Sequence, residues 1–577
     1  LACEEAWSGD FGGVMSKAFG LGVYGLAIVF FGAFFCWPIW QVIQGGFYDA
    51  EGFTFQYLIE VFRNPIYLEG LRNAFGVGLF STVGALLIAL PLALITDRYV
   101  FPGRKWFMGL VLLPIMLPPF VGAIGIRQVF GQYGAFNVFL QWLGVLGEGE
   151  LVDWLGGGQF WGVVVMSAFS LYPILYLNVI ASLANIDPAM EEAAENLGCR
   201  GVKRFFCITL PLMRSGIFAG CTIVFIWAFT ELGIPLIFDY SRLTSVQIFY
   251  GIKDIGGNPF PYALVTVMLG FSMFIYATGK GLFGRNRFAM LAKANHVREP
   301  KRLSRWGQGG CMCFCGLIVL IALLPHAAVI LIAFASDWYG SILPEHFTLA
   351  NFELALGHEL AMSSIQNSLL YASAATVLNI LIGVAIAFVV VRTRLPGRHV
   401  LDAMAMLPLA VPGLILAFGY LAMSQEGKFF SFLNAVENPI VLLIIAYSVR
   451  KIPFVVRSVV AGLESTSETY EEAAQNLGAP PLKAMWRITL PLIMANILAG
   501  ALLAFSQSML EVSDSLILAQ KAEYFPITKA IYILMQFIGD GRFIASALGV
   551  WAMSFLALMI IGASSLMGKK LGAIFRV

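Results

Sequence analysis

An all-α polytopic membrane protein of about twelve transmembrane helices, arranged as two parallel six-helix repeats, is the fold this sequence predicts. Three observations predict it. Of 577 residues, 59% are hydrophobic and only 12% are charged, about half the charged share of a soluble domain. Twelve stretches are apolar over the ~20 residues a bilayer span needs. A long motif in the first half returns, in register, in the second. The formal net charge of +2 leaves no basic field for nucleic acid, so membrane lipid is the expected surrounding.

In chain order the predicted spans of the first half are Leu21–Ile43, Ala74–Ile95, Trp106–Ile126, Phe160–Ala181, Ser215–Ile237 and Tyr262–Phe283. Those of the second are Cys311–Ala335, Leu369–Val391, Val400–Met423, Ile440–Val460, Ile493–Leu516 and Ile544–Met567. The fourth and tenth each carry a proline, Pro173 and Pro453. The first is expected to serve as the insertion signal. Orientation follows from the Lys/Arg bias of short loops. Arg98, Arg104 and Lys105 lie between spans two and three; Arg392, Arg394 and Arg398 lie between eight and nine. The opposite loops, Gln128–Gln159 and Ser336–Gln366, contain acids and no Lys or Arg. Both termini and the central linker are therefore expected on the cytoplasmic side of a bacterial inner membrane. The expected division is an N-terminal cytoplasmic segment 1–19, a first half 20–283, a basic linker 284–310 and a second half 311–577. The eight cysteines fall in apolar runs or in loops placed in the cytosol and read as small filler, not as a disulfide scaffold.

Self-similarity is the strongest signal in the chain. Residues 191–212 read EEAAENLGCRGVKRFFCITLPL, and residues 471–492 read EEAAQNLGAPPLKAMWRITLPL. Asn73 matches Asn367, Pro102-Gly103-Arg104 matches Pro396-Gly397-Arg398, and Glu231 matches Glu511. Six spans per half is an even number, so both halves enter the membrane in the same direction. A pseudo-two-fold axis along the membrane normal, with a pathway on the seam, is the natural arrangement.

The repeated segment reads as a short capped helix followed by a stiff elbow. Asp187 is a good N-cap, Pro188 suits the first helical position, and Gly198 suits a left-handed C-terminal turn. In the second copy Ser465 with Glu468 makes a capping-box pattern, Ser467 is an alternative cap, and Gly478 ends the helix. Thr209 or Thr489 is expected to cap the next span, which Pro211 or Pro491 starts. An amphipathic helix on a lipid surface would favour basic and bulky residues. Glu191, Glu192, Ala193, Ala194 and their counterparts Glu471, Glu472, Ala473, Ala474 are acidic and small, which suits a protein groove better.

These residues resemble the membrane subunits of binding-protein-dependent ABC importers, whose signature is E-A-A-x₃-G-x₉-I-x-L-P. Glu192/Ala193/Ala194/Gly198/Ile208/Pro211 and Glu472/Ala473/Ala474/Gly478/Ile488/Pro491 both fit it completely. The resemblance extends over most of the chain and looks like the subset with two fused permease halves, of type I importer fold. It implies that the motif helices, with Glu191 and Glu471 included, insert into two copies of an ATP-binding subunit. It also implies a soluble or lipid-anchored substrate-binding protein. No G-x-x-x-x-G-K-[ST] loop occurs in the chain, so ATP and magnesium are expected on the partner, with no cofactor bound here. No catalytic constellation is recognisable, and the five histidines lack metal-ligand spacing, so no metal site is expected.

Ionisable residues inside a membrane are functional candidates. Glu231, Arg450, Glu511 and Asp514 are read either as a polar gate for a charged solute or as an internal salt bridge, for example Arg450 with Glu511. Arg127 and Arg457, near span ends, are expected to snorkel. The clusters Leu113–Gly125 and Leu407–Gly413 mark broken helix, tolerated at membrane depth only against protein or a cavity. The resemblance makes Pro118, Pro119 and Pro412 pathway positions. Within that family ferric iron is the favoured cargo, with phosphonate, polyamine or thiamine as alternatives. An ion-coupled secondary transporter is the competing class; it explains the repeat and the buried acids but not two capped cytoplasmic motifs.

Overall fold

The structure, a computed structural model, describes residues 11–49, 52–116, 118–155, 159–184, 186–254, 258–283 and 301–567. Residues 1–10 of the expected N-terminal segment and 284–300 of the expected linker lie outside them. Among the described residues, eight helices are long and apolar enough to cross a membrane. They are Phe19–Phe47, Pro65–Arg98, Phe160–Ala184, Gly201–Ile237, Phe260–Gly279, Arg305–Phe334, Glu359–Arg392 and Gly541–Met559. Two further passages are bent pairs: Arg398–Leu409 with Gly413–Met423 at 96°, and Pro481–Leu492 with Met494–Met509 at 72°. By length and composition alone, eight to ten of the twelve expected passages qualify among the described residues.

The third and tenth expected spans fall outside that count for different physical reasons. The third breaks into Arg104–Val111, Leu113–Met116 and Pro119–Phe130. Pro119 has no N–H to continue a helix and forces the residue before it to be extended; Pro118 accordingly has φ −65° and ψ 116°. The tenth is one unbroken helix, Ile440–Glu464, with Pro453 inside it. It fails on charge, because Arg450, Lys451 and Arg457 fall together in its apolar stretch. The ninth bends at Pro412, again extended at φ −58° and ψ 140°.

The repeat is visible in the geometry. The second-span helix Pro65–Arg98 and the eighth-span helix Glu359–Arg392 are each 34 residues long. Both start about ten residues before their apolar stretch, capped by Asn64 Oδ1 on the Ile66 N–H at 2.9 Å and by His358 Nδ1 on the Leu360 N–H at 3.2 Å. Asn73 Nδ2 donates to the Arg242 carbonyl at 2.9 Å, and Asn367 Nδ2 donates to the Glu523 carbonyl at 2.8 Å. Each asparagine thus ties its long helix to the segment after the half's fifth span. Gly103 and Gly397 both have positive φ, 76° and 84°.

Helices in lipid gain little from apolar burial against each other, so small residues and close backbone approach hold the interfaces. A Cβ at Gly216 would lie 1.6 Å from Ser182 Oγ, and one at Gly462 would lie 2.9 Å from Asn496 Cβ. These are the same contact in the two halves with the glycine on opposite sides, a swap that roughly conserves volume. Gly220 against Asn178 and Gly500 against Ser458 repeat a second contact. Strands among the described residues are two-residue pieces. One of them, Tyr99–Val100, pairs in parallel with Lys301–Arg302 and ties the described end of the linker to the second-span helix.

Candidate functional site

The first E-E-A-A segment forms a helix, Pro188–Asn196, whose N-terminus Asp187 caps through Oδ1 on the Ala189 N–H at 2.9 Å. Gly198 then turns left-handed at φ +83°, which lets the Cys199 N–H reach the Ala194 carbonyl at 2.9 Å. The second segment forms Thr469–Asn476, with Gly478 at φ +87° and the Ala479 N–H on the Ala474 carbonyl at 3.0 Å. A positive φ at these positions is why both copies carry glycine. The capping box does not form. Ser465 Oγ donates to the Gly462 carbonyl of the preceding helix at 2.9 Å, and Ser467 Oγ accepts the Thr469 N–H at 3.3 Å.

The elbow also departs from expectation. Helix resumes at Gly201–Arg204 and Pro481–Ala484 and passes through one π-turn, Phe205–Thr209 and Met485–Thr489, into Leu210–Phe229 and Leu490–Leu492. Thr209 and Thr489 lie inside helix and cap nothing; Pro211 and Pro491 follow the π-turn. A π-turn widens the ladder just where proline offers no N–H to it. Thr209 instead donates its hydroxyl to Glu191 Oε1 at 2.6 Å.

Each motif helix has an inner and an outer face, and they match between copies. Glu191 is buried, and Arg98 Nη2, at the end of the second-span helix, donates to its Oε1 at 2.7 Å. Glu471 takes the same bond from Arg392 Nε at 3.0 Å, and Arg392 Nη2 also reaches the Thr466 carbonyl at 2.8 Å. Ala194 and Ala474 are buried beside them. Glu191, Ala194 and Ala474 therefore face their own chain, which corrects the grouping of all four motif residues on one docking surface. Glu192, Ala193, Gly198 and Glu472, Ala473, Gly478 are exposed. With them Leu197 and Leu477 stand out at 87% and 90% exposure, and Phe206 and Trp486 are exposed at matching positions.

A second candidate site lies where the halves meet. A cavity of about 180 Å³ is lined by Pro114, Pro119, Phe120, Ser170, Trp227 and Glu231 from the first half and by Pro408, Pro412, Gly413, Arg450, Lys451 and Glu511 from the second, among others. Arg450 Nη1 donates to Glu511 Oε1 and, at 3.2 Å, to Asp514 Oδ2. Lys451 Nζ donates to Glu511 Oε2 at 2.8 Å. The expected Arg450–Glu511 pair is present as part of this four-membered group. Asp514 is fully buried and, like Pro118, does not line the cavity, unlike the other expected pathway residues. A Cβ on Gly413 would fall 2.2 Å from Arg450 Nη1, so only glycine lets the guanidinium lie against the break in the ninth span.

The two acids are held differently. Glu231 follows the helix Leu210–Phe229, and its Oε1 accepts the N–H groups of Gly233 and Ile234 at 3.0 and 3.3 Å. Glu511 has the two cations instead, because Arg450 and Lys451 stand where the first half has Ser170 and Leu171. Both backbone carbonyls are bonded alike, by Ser245 Oγ at 2.6 Å and Thr528 Oγ1 at 2.7 Å. Beyond them, Phe249 and Tyr532 meet edge to face across the seam at 6.0 Å. Arg127 pairs with Asp239 at 2.7 Å and Arg457 with Asp402 at 3.2 Å, so neither is simply snorkelling.

Sequence reasoning missed the anchoring roles of Arg98 and Arg392, although both sit at matching positions ahead of the repeated Pro-Gly-Arg. The family model described as binding-protein-dependent transport system inner membrane component matches residues 85–285 and again residues 379–565. A ferric transport system permease protein of Actinobacillus pleuropneumoniae is 26% identical over 506 residues, 85% of this chain and 70% of the relative. A putative ferric transport system permease protein of Haemophilus influenzae is also 26% identical over 506 residues, 85% of this chain and 76% of the relative. A molybdenum transport system permease protein of Haemophilus influenzae is 33% identical over 172 residues, 29% of this chain and 71% of the relative.

Proposed function

The chain belongs to the inner membrane components of binding-protein-dependent transport systems, as two fused copies of that unit, and from this we propose that it forms the solute pathway of an ATP-driven importer between its halves. Hydrolysis takes place on two separate ATP-binding subunits, which hold the ATP and magnesium. A soluble or lipid-anchored binding protein delivers cargo on the opposite side. The proposed cargo is ferric iron, supported by the ferric permeases similar to this chain over 85% of its length. The halves are residues 20–283 and 311–577, joined by the basic linker 284–310 and preceded by the segment 1–19. Both termini and both motif helices face the cytoplasm of a bacterial cell.

One observation carries the coupling role: the same exposed face, Glu192, Ala193, Leu197 and Gly198, recurs as Glu472, Ala473, Leu477 and Gly478. Two nearly fully exposed leucines at matching tips, each beside small residues, suit insertion into an apolar cleft. Each helix is tied from inside to the second or eighth span, so a push on its outer face reaches the membrane core. The test is cysteine cross-linking in native membranes. Leu197→Cys and Leu477→Cys should each form a nucleotide-sensitive adduct with the ATP-binding subunit. Labelling of both cysteines by an impermeant reagent from outside the cell would contradict the assignment.

A further inference from the structure

We infer that Glu231 makes the seam cavity a transit site for a cation and closes it to oxyanions. This rests on the reading of the seam as the cargo path, and it adds the residue that sets the sign of the cargo. Every cation on the cavity wall is already committed. Arg450 is shared between Glu511 and Asp514, and Lys451 is bound to Glu511. Two positive charges thus face two carboxylates within one bonded group. Glu231 is the remaining ionisable side chain on the wall, and among the described residues no Lys, Arg or His forms an ion pair with it.

Holding an oxyanion beside a carboxylate would need an unpaired cation or several N–H donors converging on one point. The backbone N–H groups of Gly233 and Ile234, which could have supplied them, are taken by Glu231 itself. The rest of the wall is uncharged, with Pro114, Pro119, Phe120, Trp227 and Pro408 beside the neutral polar Ser170, Thr230, Gln507 and Ser513, and walls of low dielectric focus the field of a single charge. The volume of about 180 Å³ is far above the ~10–15 Å³ one water requires, so a small hydrated solute fits. No group of three or more His, Cys, Asp or Glu able to hold a metal ion exists among the described residues. The cation is therefore attracted by field and not captured by coordination, which is the weak binding that passage requires.

The test uses the complete transporter, with its ATP-binding subunits and binding protein, in proteoliposomes. Uptake of radiolabelled ferric iron from the loaded binding protein is measured beside ATP hydrolysis. Glu231→Gln keeps an oxygen for the two N–H groups and removes only the charge. It should lower ferric uptake by about tenfold or more while the loaded binding protein still stimulates hydrolysis. Glu231→Asp, which keeps the charge, should retain most of the uptake. Wild-type ferric uptake in Glu231→Gln, or equal losses in both variants, would overturn the inference. ATP-driven uptake of molybdate or sulfate in place of ferric iron by the wild type would overturn it while leaving the importer reading intact. No ATP-driven uptake by the wild type of these three or of a phosphonate, polyamine or thiamine would overturn both.

Discussion

Valine at both Gly198 and Gly478 reduces uptake to background while the protein still inserts and accumulates: this is the expected result of the most disruptive change. Both glycines sit at φ near +85°, at +83° and +87°, where a side chain costs ~1–2 kcal/mol. Among the described residues, its chain neighbours aside, nothing lies within 4 Å of a Cβ at either position, so the new side chain meets no internal neighbour there and the membrane helices keep their packing. What changes is the turn that ends each motif helix and the surface beside Leu197 and Leu477. Each single substitution should lower uptake by about tenfold, and the pair should do worse than either because the two docking sites act in one cycle. The measurement is cellular uptake normalised to membrane abundance on an immunoblot. Normal transport in the double variant would remove the docking role.

Alanine at Arg98 or Arg392 is expected to uncouple hydrolysis from transport. Glu191 is 2% exposed and Glu471 13% exposed, against arginines at 14% and 6%. Removing one partner from a buried pair costs ~3–5 kcal/mol, mainly through the charge left behind. Thr209 still reaches Glu191 by a hydroxyl bond, whereas Thr489 makes none to Glu471, its Oγ1 having no hydrogen-bond partner among the described residues. Arg392→Ala should therefore be the more severe of the two. The diagnostic quantity is solute moved per ATP hydrolysed, which a general folding defect would not change in the surviving protein. The exchange Arg392→Glu with Glu471→Arg should recover part of that ratio, and equal ratios in all variants would show that the bond only stabilises.

The features legible in the sequence were those with a period or a repeat. Apolar stretches located eight whole helices, and the E-E-A-A repeat located both motif helices with Gly198 and Gly478 at their ends. The proline clusters also marked the breaks in the third span, at Pro118-Pro119, and in the ninth, at Pro412, while the tenth stays one unbroken helix although Pro453 and the charges of Arg450 and Lys451 lie inside it. Thr209 carried the local pattern of a cap, yet the π-turn before Pro211 let helix begin eight residues earlier, and the hydroxyl was drawn to Glu191. The Arg98–Glu191 bond spans 93 residues and has no local signature. Only its recurrence at Arg392 and Glu471 could have exposed it. Charge inside the tenth and eleventh spans pointed correctly to Arg450 with Glu511, but the burial of Asp514 away from the cavity follows from packing that no window of sequence reports.

The central claim is that nucleotide hydrolysis on separate subunits, acting through two motif helices, drives solute between the halves. Its most direct test is uptake by purified protein in proteoliposomes, with and without the ATP-binding subunits, under either enclosed ATP or an imposed ion gradient. Uptake should require the subunits together with hydrolysable ATP and should be indifferent to the gradient. Gradient-driven uptake by this chain alone would contradict the account.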